Sequence, residues 1–322
     1  MKRFFRWFLR IALTVILLAF IAANGVIYMQ TYHFMHTVPP RYQARPEKLT
    51  DWERQKLALF GQPVPRKPID AVPLRPYQNV EIPSKDGLRL RGWYIPAERR
   101  PKGTIIIYHG YGQNRSGDVG KAFRYGRMGF NVFMIDFRAH GESEGFLTTI
   151  GLYERADVKA AYDWVKARTT SPVILNGTSM GAAAILSAVA YYRDFKPDLL
   201  ILESCFGTIR QAVRGSLRSS NFPQDPLVDG MVFWSSVQLW HWMYDYKPQE
   251  FARNVTCPTL VLWGDRDPRV TREETYAIYH NLSSRKKQLV IFNRGGHEGL
   301  VGQNPDLWLE MVARFLKVPN KI

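Results

Sequence analysis

The feature that most constrains the fold is an alternation of short apolar runs with helix-like stretches, which begins near Tyr77 and continues toward the C-terminus. Six of these runs are apolar throughout, which is typical of strands buried on both faces of a sheet. The predicted strands are 104–108, 131–135, 173–176, 199–203, 259–263 and 288–292. Repeated strand–helix alternation predicts parallel strands joined by right-handed crossovers.

Two further features complete the predicted α/β architecture, a doubly wound, mostly parallel sheet with helices on both faces. Residues 80–83 and 88–95 flank the turn Lys85-Asp86-Gly87, so an antiparallel hairpin should precede the parallel strands. The predicted helices are 119–128, 153–168, 180–192, 272–280 and 305–316. Between Glu203 and Thr259 the chain is longer than one crossover needs, which predicts a small helical cap over about 205–255 within a domain of residues 77–318.

The first thirty residues predict a membrane anchor. Four basic residues lie among the first ten and precede an apolar run over 11–27, at the short end of what crosses a bilayer core of ~30 Å. Positive charge before the run and none directly after it predicts a cytoplasmic N-terminus, with the remaining chain outside, periplasmic or extracellular. A cleaved signal peptide has the same charge pattern, but no strict Ala-x-Ala site occurs around Ala22 and Ala23. We therefore favour an uncleaved transmembrane helix.

The net charge of +16 belongs mainly to the N-terminal third. Residues 1–103 hold 18 basic and 7 acidic residues, whereas the remainder holds 26 and 21. A strongly basic chain raises the question of nucleic acid, but this distribution fits membrane proximity better, and no nucleic-acid partner is expected. Residues 31–76 are rich in proline and predict an extended tether, with one short helix over 50–60.

The pattern Gly177-Thr178-Ser179-Met180-Gly181 follows a predicted strand and opens a predicted helix. Gly-x-Ser-x-Gly in this strand–turn–helix context is a nucleophile elbow. Such a turn needs a strained backbone at the serine and no side chains at the flanking glycines. We therefore predict that Ser179 is a nucleophile.

A nucleophilic serine needs a base, and the base needs an orienting acid. Strand 259–263 runs into Gly264-Asp265-Arg266-Asp267, and strand 288–292 is followed by a glycine-rich loop that reaches His297. Both loops follow carboxyl ends of predicted parallel strands, so His297 is the predicted base and an aspartate of the first loop, Asp265 or Asp267, is the predicted acid. The loop 109–112 follows another strand, and the N–H groups of Tyr111 and Met180 are the predicted oxyanion hole.

Together these motifs resemble those of the α/β-hydrolase family over about residues 77–318. The motifs are HGYG (109–112), DFRAHGES (136–143), GTSMG (177–181), GDRD (264–267) and GGH (295–297). The chain most resembles the membrane-anchored branch grouped with serine aminopeptidase-like and dienelactone-hydrolase-like proteins. The resemblance implies acyl transfer by a triad of Ser179, His297 and Asp267, since the family pattern Gly-x-x-Asp favours Asp267 as the acid. It also implies a structural role for 136–143 and no metal or organic cofactor. Ala139 is a departure, since the family often has glycine there.

Other residues compete for these roles. Asp265 is expected to hydrogen-bond its own turn, while Glu203 also ends a strand and is the main rival acid. Among seven histidines, His109 and His140 lie in motif loops and are expected to be structural. His241 lies in the insertion and remains a candidate for contact with substrate.

The insertion also suggests the substrate. Phe233, Val237, Trp240 and Tyr244 recur at helical spacing within 231–246. This apolar face either packs on the sheet as ordinary core or forms an aromatic roof over the site, which would suit acyl chains. We expect a membrane-anchored serine hydrolase cleaving esters or thioesters of small-molecule or lipid-like apolar acyl substrates. The alternatives are an aminopeptidase-like amidase and a non-catalytic, membrane-tethered binding protein.

Overall fold

The computed structural model describes residues 2–40, 50–61, 63–297 and 299–317. The chain opens with a 34-residue helix, α1 (Lys2–Met35). Two short parallel strands, β1 (Thr37–Val38) and β2 (Val64–Pro65), lie on either side of α2 (Asp51–Phe60) in sequence. The first five residues assigned to a tether are thus the end of α1. Residues 41–49 and 62 of that segment, and residue 318 of the expected domain, lie outside the described residues.

The eight remaining strands of the described residues form one sheet. They are β3 (Gln78–Pro83), β4 (Arg89–Ile95), β5 (Thr104–Tyr108), β6 (Asn131–Ile135), β7 (Val173–Thr178), β8 (Leu199–Glu203), β9 (Thr259–Gly264) and β10 (Lys287–Phe292). Their order is β10–β9–β8–β7–β5–β6–β4–β3. The β3–β4 hairpin is antiparallel, β4 pairs antiparallel with β6, and all other pairs in the sheet are parallel. The predicted doubly wound α/β sheet is confirmed.

Helices cover both faces of the sheet and also form the cap. They are α3 (Val119–Arg127), α4 (Glu154–Lys166), α5 (Met180–Tyr191), α6 (Ile209–Ser219), α7 (Leu227–Leu239), α8 (Pro248–Phe251), α9 (Arg272–Asn281), α10 (Leu300–Gln303) and α11 (Pro305–Phe315). Helices α4 and α5 share one apolar core with one sheet face, and α3 and α11 share a second core with the other. The strands between these layers are buried on both sides, which explains why their sequences are apolar without alternation.

The insertion between β8 and β9 contains α6 and α7, and α7 packs against the last third of α1. The Trp234 indole N–H donates to the Asn24 side-chain oxygen at 3.3 Å. The Trp234 ring also meets Tyr28 edge to face, with 5.3 Å between centroids. At Gly230, a Cβ atom would approach Ile27 to 3.1 Å, so the two helices are closely apposed there. The end of α1 is therefore packed into the cap.

The expected aromatic face of the insertion does not form as one helical face. Helix α7 ends at Leu239, and Trp240 has φ +49°, so the helical stretch does not continue to Tyr244. Phe233 and Val237 are 44% and 42% exposed and Trp240 is 95% exposed, so these three neither join the core nor roof the site, whereas Tyr244 packs partly buried against the core. The core side of α7 is formed by other residues, namely Val228, Met231, Val232, Ser235 and Leu239. Because α7 is apolar around most of its circumference, its periodicity alone could not choose between these sides.

Candidate active site

Ser179 occupies the sharp turn between β7 and α5. Its φ of +52° and ψ of −112° lie outside the regions that L-residues favour. The flanking glycines explain how this turn fits: a Cβ at Gly177 would lie 2.6 Å from the Ala182 nitrogen, and one at Gly181 would lie 2.3 Å from the Tyr108 carbonyl oxygen. The Ser179 N–H donates to the Glu203 carbonyl at 2.8 Å, which ties the turn to β8.

The structure brings Ser179, His297 and Asp267 together in one hydrogen-bonded series. His297 Nε2 lies 3.0 Å from Ser179 Oγ, and His297 Nδ1 lies 2.8 and 3.0 Å from the two Asp267 carboxylate oxygens. Because a carboxylate only accepts, Nδ1 is assigned the proton, and Nε2 is left to accept the serine hydroxyl proton. The buried Asp267 carboxylate is itself held by the N–H groups of Arg269 and Val270, at 2.7 and 2.9 Å.

The competing carboxylates have other partners. Glu203 accepts from the Asn176 side-chain amide at 2.9 Å and forms a buried ion pair with Lys121 at 3.2 Å. Burial lowers the pKa of Lys121, but Asp118 and Glu203 more than offset this effect and raise it overall. Asp265 accepts from the Arg294 N–H at 2.5 Å, so it bonds the loop after β10 and not its own turn as expected.

His109 and His140 are buried and bonded to backbone. His109 lies between the Gly110 carbonyl and the Phe137 N–H, and His140 between the Arg138 carbonyl and the Gly112 N–H. Burial lowers the pKa of each ring to about 4, and for His140 the neighbouring His109 contributes further. Both rings are therefore neutral near pH 7, and they join loop 109–112 to loop 136–141. His241 is exposed on the cap.

Tyr111 and Met180 line the same cavity as Ser179 and His297. The Tyr111 hydroxyl donates to the Phe34 carbonyl at 2.6 Å, and the two rings stack with 5.0 Å between centroids. Burial raises the pKa of the Tyr111 phenol, so it remains a neutral donor at this position. The loop expected to supply an oxyanion donor is thus braced by the last turn of α1.

The cavity beside Ser179 is small, about 40 Å³, and mainly apolar. Its walls include Phe34 and the α6 residues Ile209 and Val213, which also border a second cavity of about 20 Å³. The second cavity reaches Thr31 on α1 and Leu239 on α7. In the part of the chain that is described, no group of three or more His, Cys, Asp or Glu residues is arranged to hold a metal ion.

Phe34 is a wall residue that the sequence analysis did not predict. Residues from 31 onward were assigned to a proline-rich tether, so no contact with the site was expected. One signal was present, since Ile27, Thr31, Phe34 and Met35 recur at the i, i+4, i+7, i+8 spacing of an amphipathic helix. The helix continues through all four residues, and Met35 is buried.

The sheet order, the helices on both faces and the turn at Ser179 are those of the α/β-hydrolase fold, and comparison with known proteins agrees. A family model described as serine aminopeptidase, S33 matches residues 99–221. The Pyrococcus furiosus esterase Pf2001 has a similar structure, with a TM-score of 0.63 and 25% identity over 79% of this chain and 98% of that one. The chain therefore has the α/β-hydrolase fold and is similar in sequence to known hydrolases, which include an esterase and a lipase.

Two relatives show how far the similarity extends in sequence. The Escherichia coli K12 protein YfhR is 26% identical over 247 residues, which cover 74% of this chain and 80% of that protein. The lysophosphatidylserine lipase ABHD12 of Macaca fascicularis is 28% identical over 192 residues, covering 55% of this chain and 45% of that protein. Within the described residues, α1 is the helix long and apolar enough to cross a membrane, a property that signal sequences share.

Proposed function

We propose that this chain is a membrane-anchored carboxylester hydrolase in which Ser179, His297 and Asp267 form the catalytic triad. The observation that carries the proposal is the series of hydrogen bonds from Ser179 Oγ through His297 to Asp267, beside an apolar cavity. The strained Ser179 backbone adds support, because such strain concentrates at functional sites.

In the proposed mechanism, Ser179 Oγ attacks the acyl carbon while its proton passes to His297 Nε2. The carbonyl π electrons move to oxygen, and the N–H groups of Tyr111 and Met180 stabilise that oxyanion. On collapse, His297 gives the proton to the departing alkoxide, which leaves as an alcohol. Water then attacks the acyl-enzyme with His297 again as base, and the acid is released. Losing one oxyanion donor typically costs ~3–4 kcal/mol in barrier.

The cavity favours an apolar acyl group over a peptide N-terminus. The ionisable side chains along its wall are Tyr111, Arg269 and His297, and none of them is a carboxylic acid. An aminopeptidase would need a negative group to hold the substrate's protonated α-amine, and a guanidinium repels that charge instead. The description of the matched family keeps an aminopeptidase-like amidase as the second candidate.

We further propose that α1 is an uncleaved anchor and that the N-terminus is cytoplasmic. The charge pattern supports this orientation, since four basic residues precede the apolar run. Helix α1 runs without a break past Ala22 and Ala23 into residues 24–35, which pack into the cap and the active-site wall, and this continuity favours a retained helix.

A substrate panel tests this function. Purified full-length protein would be given p-nitrophenyl esters of rising acyl length alongside aminoacyl p-nitroanilides, with Ser179→Ala as the control. We expect ester hydrolysis that depends on acyl length and disappears in Ser179→Ala. Activity that is flat across esters, with faster cleavage of the anilides, would favour the aminopeptidase instead. Equal ester hydrolysis by wild type and Ser179→Ala would contradict the nucleophile.

A further inference from the structure

Four apolar residues of the cap that are close together in sequence are exposed, and we call them the cap aromatic face: Phe233, Val237, Trp240 and Trp242. Their exposed fractions are 44%, 42%, 95% and 56%. Single exposed apolar residues are ordinary on a protein surface, but a cluster that includes two tryptophans marks a site of contact with another apolar body. Neither the core nor the active-site cavity uses these four side chains.

Trp240 is the most unusual member of this face. It follows the last residue of α7 in the left-handed conformation, with φ +49° and ψ +35°. Helices commonly end with glycine in that conformation, because a Cβ atom is disfavoured there. Here the position holds the largest side chain and exposes almost all of it to solvent. Packing within the described chain therefore does not account for a tryptophan at this position.

The cap aromatic face lies directly beside α1. Gly230, Trp234 and Gln238 recur at i, i+4, i+8 and contact α1: Gly230 meets Ile27, Trp234 meets Asn24 and Tyr28, and Gln238 donates to the Tyr28 carbonyl at 3.3 Å. Phe233 and Val237 each precede one of these contact residues by a single position. They therefore lie about 100° round α7 from the α1 contact.

The length of α1 shows how far this face lies from the bilayer. Of the apolar run 11–27, only residues 11–23 precede the first contact with the cap, at Asn24. Thirteen residues of helix cover ~20 Å, about 10 Å less than a bilayer core of ~30 Å. The next seven residues would supply the missing length, and they include Asn24, Ile27 and Tyr28, the residues that α7 contacts.

We propose that the cap aromatic face rests in the membrane leaflet from which α1 emerges, so that the active site takes its ester substrate from the bilayer. The proposal rests on the proposed function, in that α1 must be a retained anchor. Two further observations support it. Tryptophan is the residue that favours the membrane–water interface. The paired cavities also extend from Ser179 to the junction of α1 and α7, beside the proposed lipid contact.

A depth measurement on the full chain in phosphatidylcholine vesicles tests the contact. Trp240→Cys would be labelled with an environment-sensitive fluorophore in a Cys257→Ser background, where the remaining Cys205 is buried. We expect quenching by spin-labelled lipid and little quenching by aqueous iodide. The matched control is Leu74→Cys, 85% exposed near Arg75, which pairs with Glu98 at the end of the sheet away from the cap. The control should show the opposite pattern.

Two outcomes of this measurement would overturn the proposal. If iodide quenches the label at position 240 as strongly as at position 74, the face lies in water. If neither quencher reaches position 240, another protein surface, such as a second copy of this chain, covers it.

Activity gives a second, independent readout. In Trp240→Gly/Trp242→Ser, we expect hydrolysis of a long-chain ester in vesicles to fall at least about tenfold, the ratio that corresponds to 1.4 kcal/mol. Hydrolysis of a soluble short-chain ester should be unchanged, and Trp240→Gly alone should not lower Tm, because glycine suits the left-handed position. Equal loss on both esters would contradict the proposal. If the wild type cleaves neither ester, the proposed function fails, while the depth measurement still decides the membrane contact.

Discussion

At the scale of single residues, the assignment of the acid depends on which carboxylate meets His297. The sequence offered Asp267, Asp265 and Glu203 at neighbouring strand ends, and strand order alone could not separate them. The contacts do: Asp267 bonds His297 Nδ1, Asp265 bonds the Arg294 N–H, and Glu203 bonds Asn176 and Lys121.

A pair of substitutions tests this assignment. In Asp267→Asn, the side-chain oxygen can still accept from the Arg269 and Val270 N–H groups, but the amide no longer holds the His297 tautomer that accepts the serine proton. We expect kcat to fall about 10³–10⁴-fold with little change in Tm. Glu203→Gln should instead lower stability by about 2–4 kcal/mol, because buried Lys121 loses one partner and keeps Asp118. Thermal melts and kcat on one ester distinguish the catalytic role from the structural one. A large loss of kcat in Glu203→Gln, with little loss in Asp267→Asn, would make Glu203 the acid.

The two buried histidines should make the stability of the folded chain depend on pH. Because folding lowers the pKa of His109 and His140 from 6.5 to about 4, the unfolded chain binds more protons between these values. The stability they contribute is present above pH 6.5 and is lost as the pH falls toward 4, by a few kcal/mol. His140→Gln should flatten the dependence of Tm on pH in this window, and exposed His241→Gln should leave it unchanged. A wild-type Tm that is constant from pH 6.5 to 4.5 would contradict neutral buried rings.

At the scale of elements, the positions of strands and of the Ser179 turn were predictable, but the faces by which helices pack on each other were not. Each apolar run has a strand at the same position, and all but the partly exposed edge strand β10 are buried, because burial on both faces favours apolar residues throughout a strand. The turn at Ser179 was also predictable, since only glycine fits at positions 177 and 181. The faces of α7 and the end of α1 were not, because their partners are distant in sequence and both helices are apolar on several sides.

Two truncations test whether the end of α1 belongs to the active site. Removing residues 1–23 deletes only the part of α1 that is unpacked in the structure, so esterase activity on a soluble ester should persist. Removing residues 1–35 also deletes Phe34, the acceptor for the Tyr111 hydroxyl, and the buried Met35. We expect a lower Tm and a loss of kcat/KM of at least about tenfold in the longer truncation, since several buried contacts are lost. Equal activity of the two truncations would show that α1 serves only as an anchor.

At the scale of the whole molecule, charge and hydropathy predict one orientation in the membrane. The basic residues before the apolar run should keep the N-terminus in the cytoplasm and place the hydrolase domain outside. Protease added to intact spheroplasts should therefore digest the domain, while an epitope placed before Lys2 stays protected. Protection of the domain until the cells are lysed would reverse the orientation.

The proposal that Ser179 is the nucleophile is tested most directly by identifying the residue that a serine-reactive probe modifies. Full-length protein would be treated with a fluorophosphonate, which reacts with an activated serine, and the adduct mapped by peptide mass spectrometry. We expect one adduct on Ser179, greatly slowed labelling in His297→Ala, and none in Ser179→Ala. An adduct on a different residue, or equal labelling of wild type and Ser179→Ala, would contradict it.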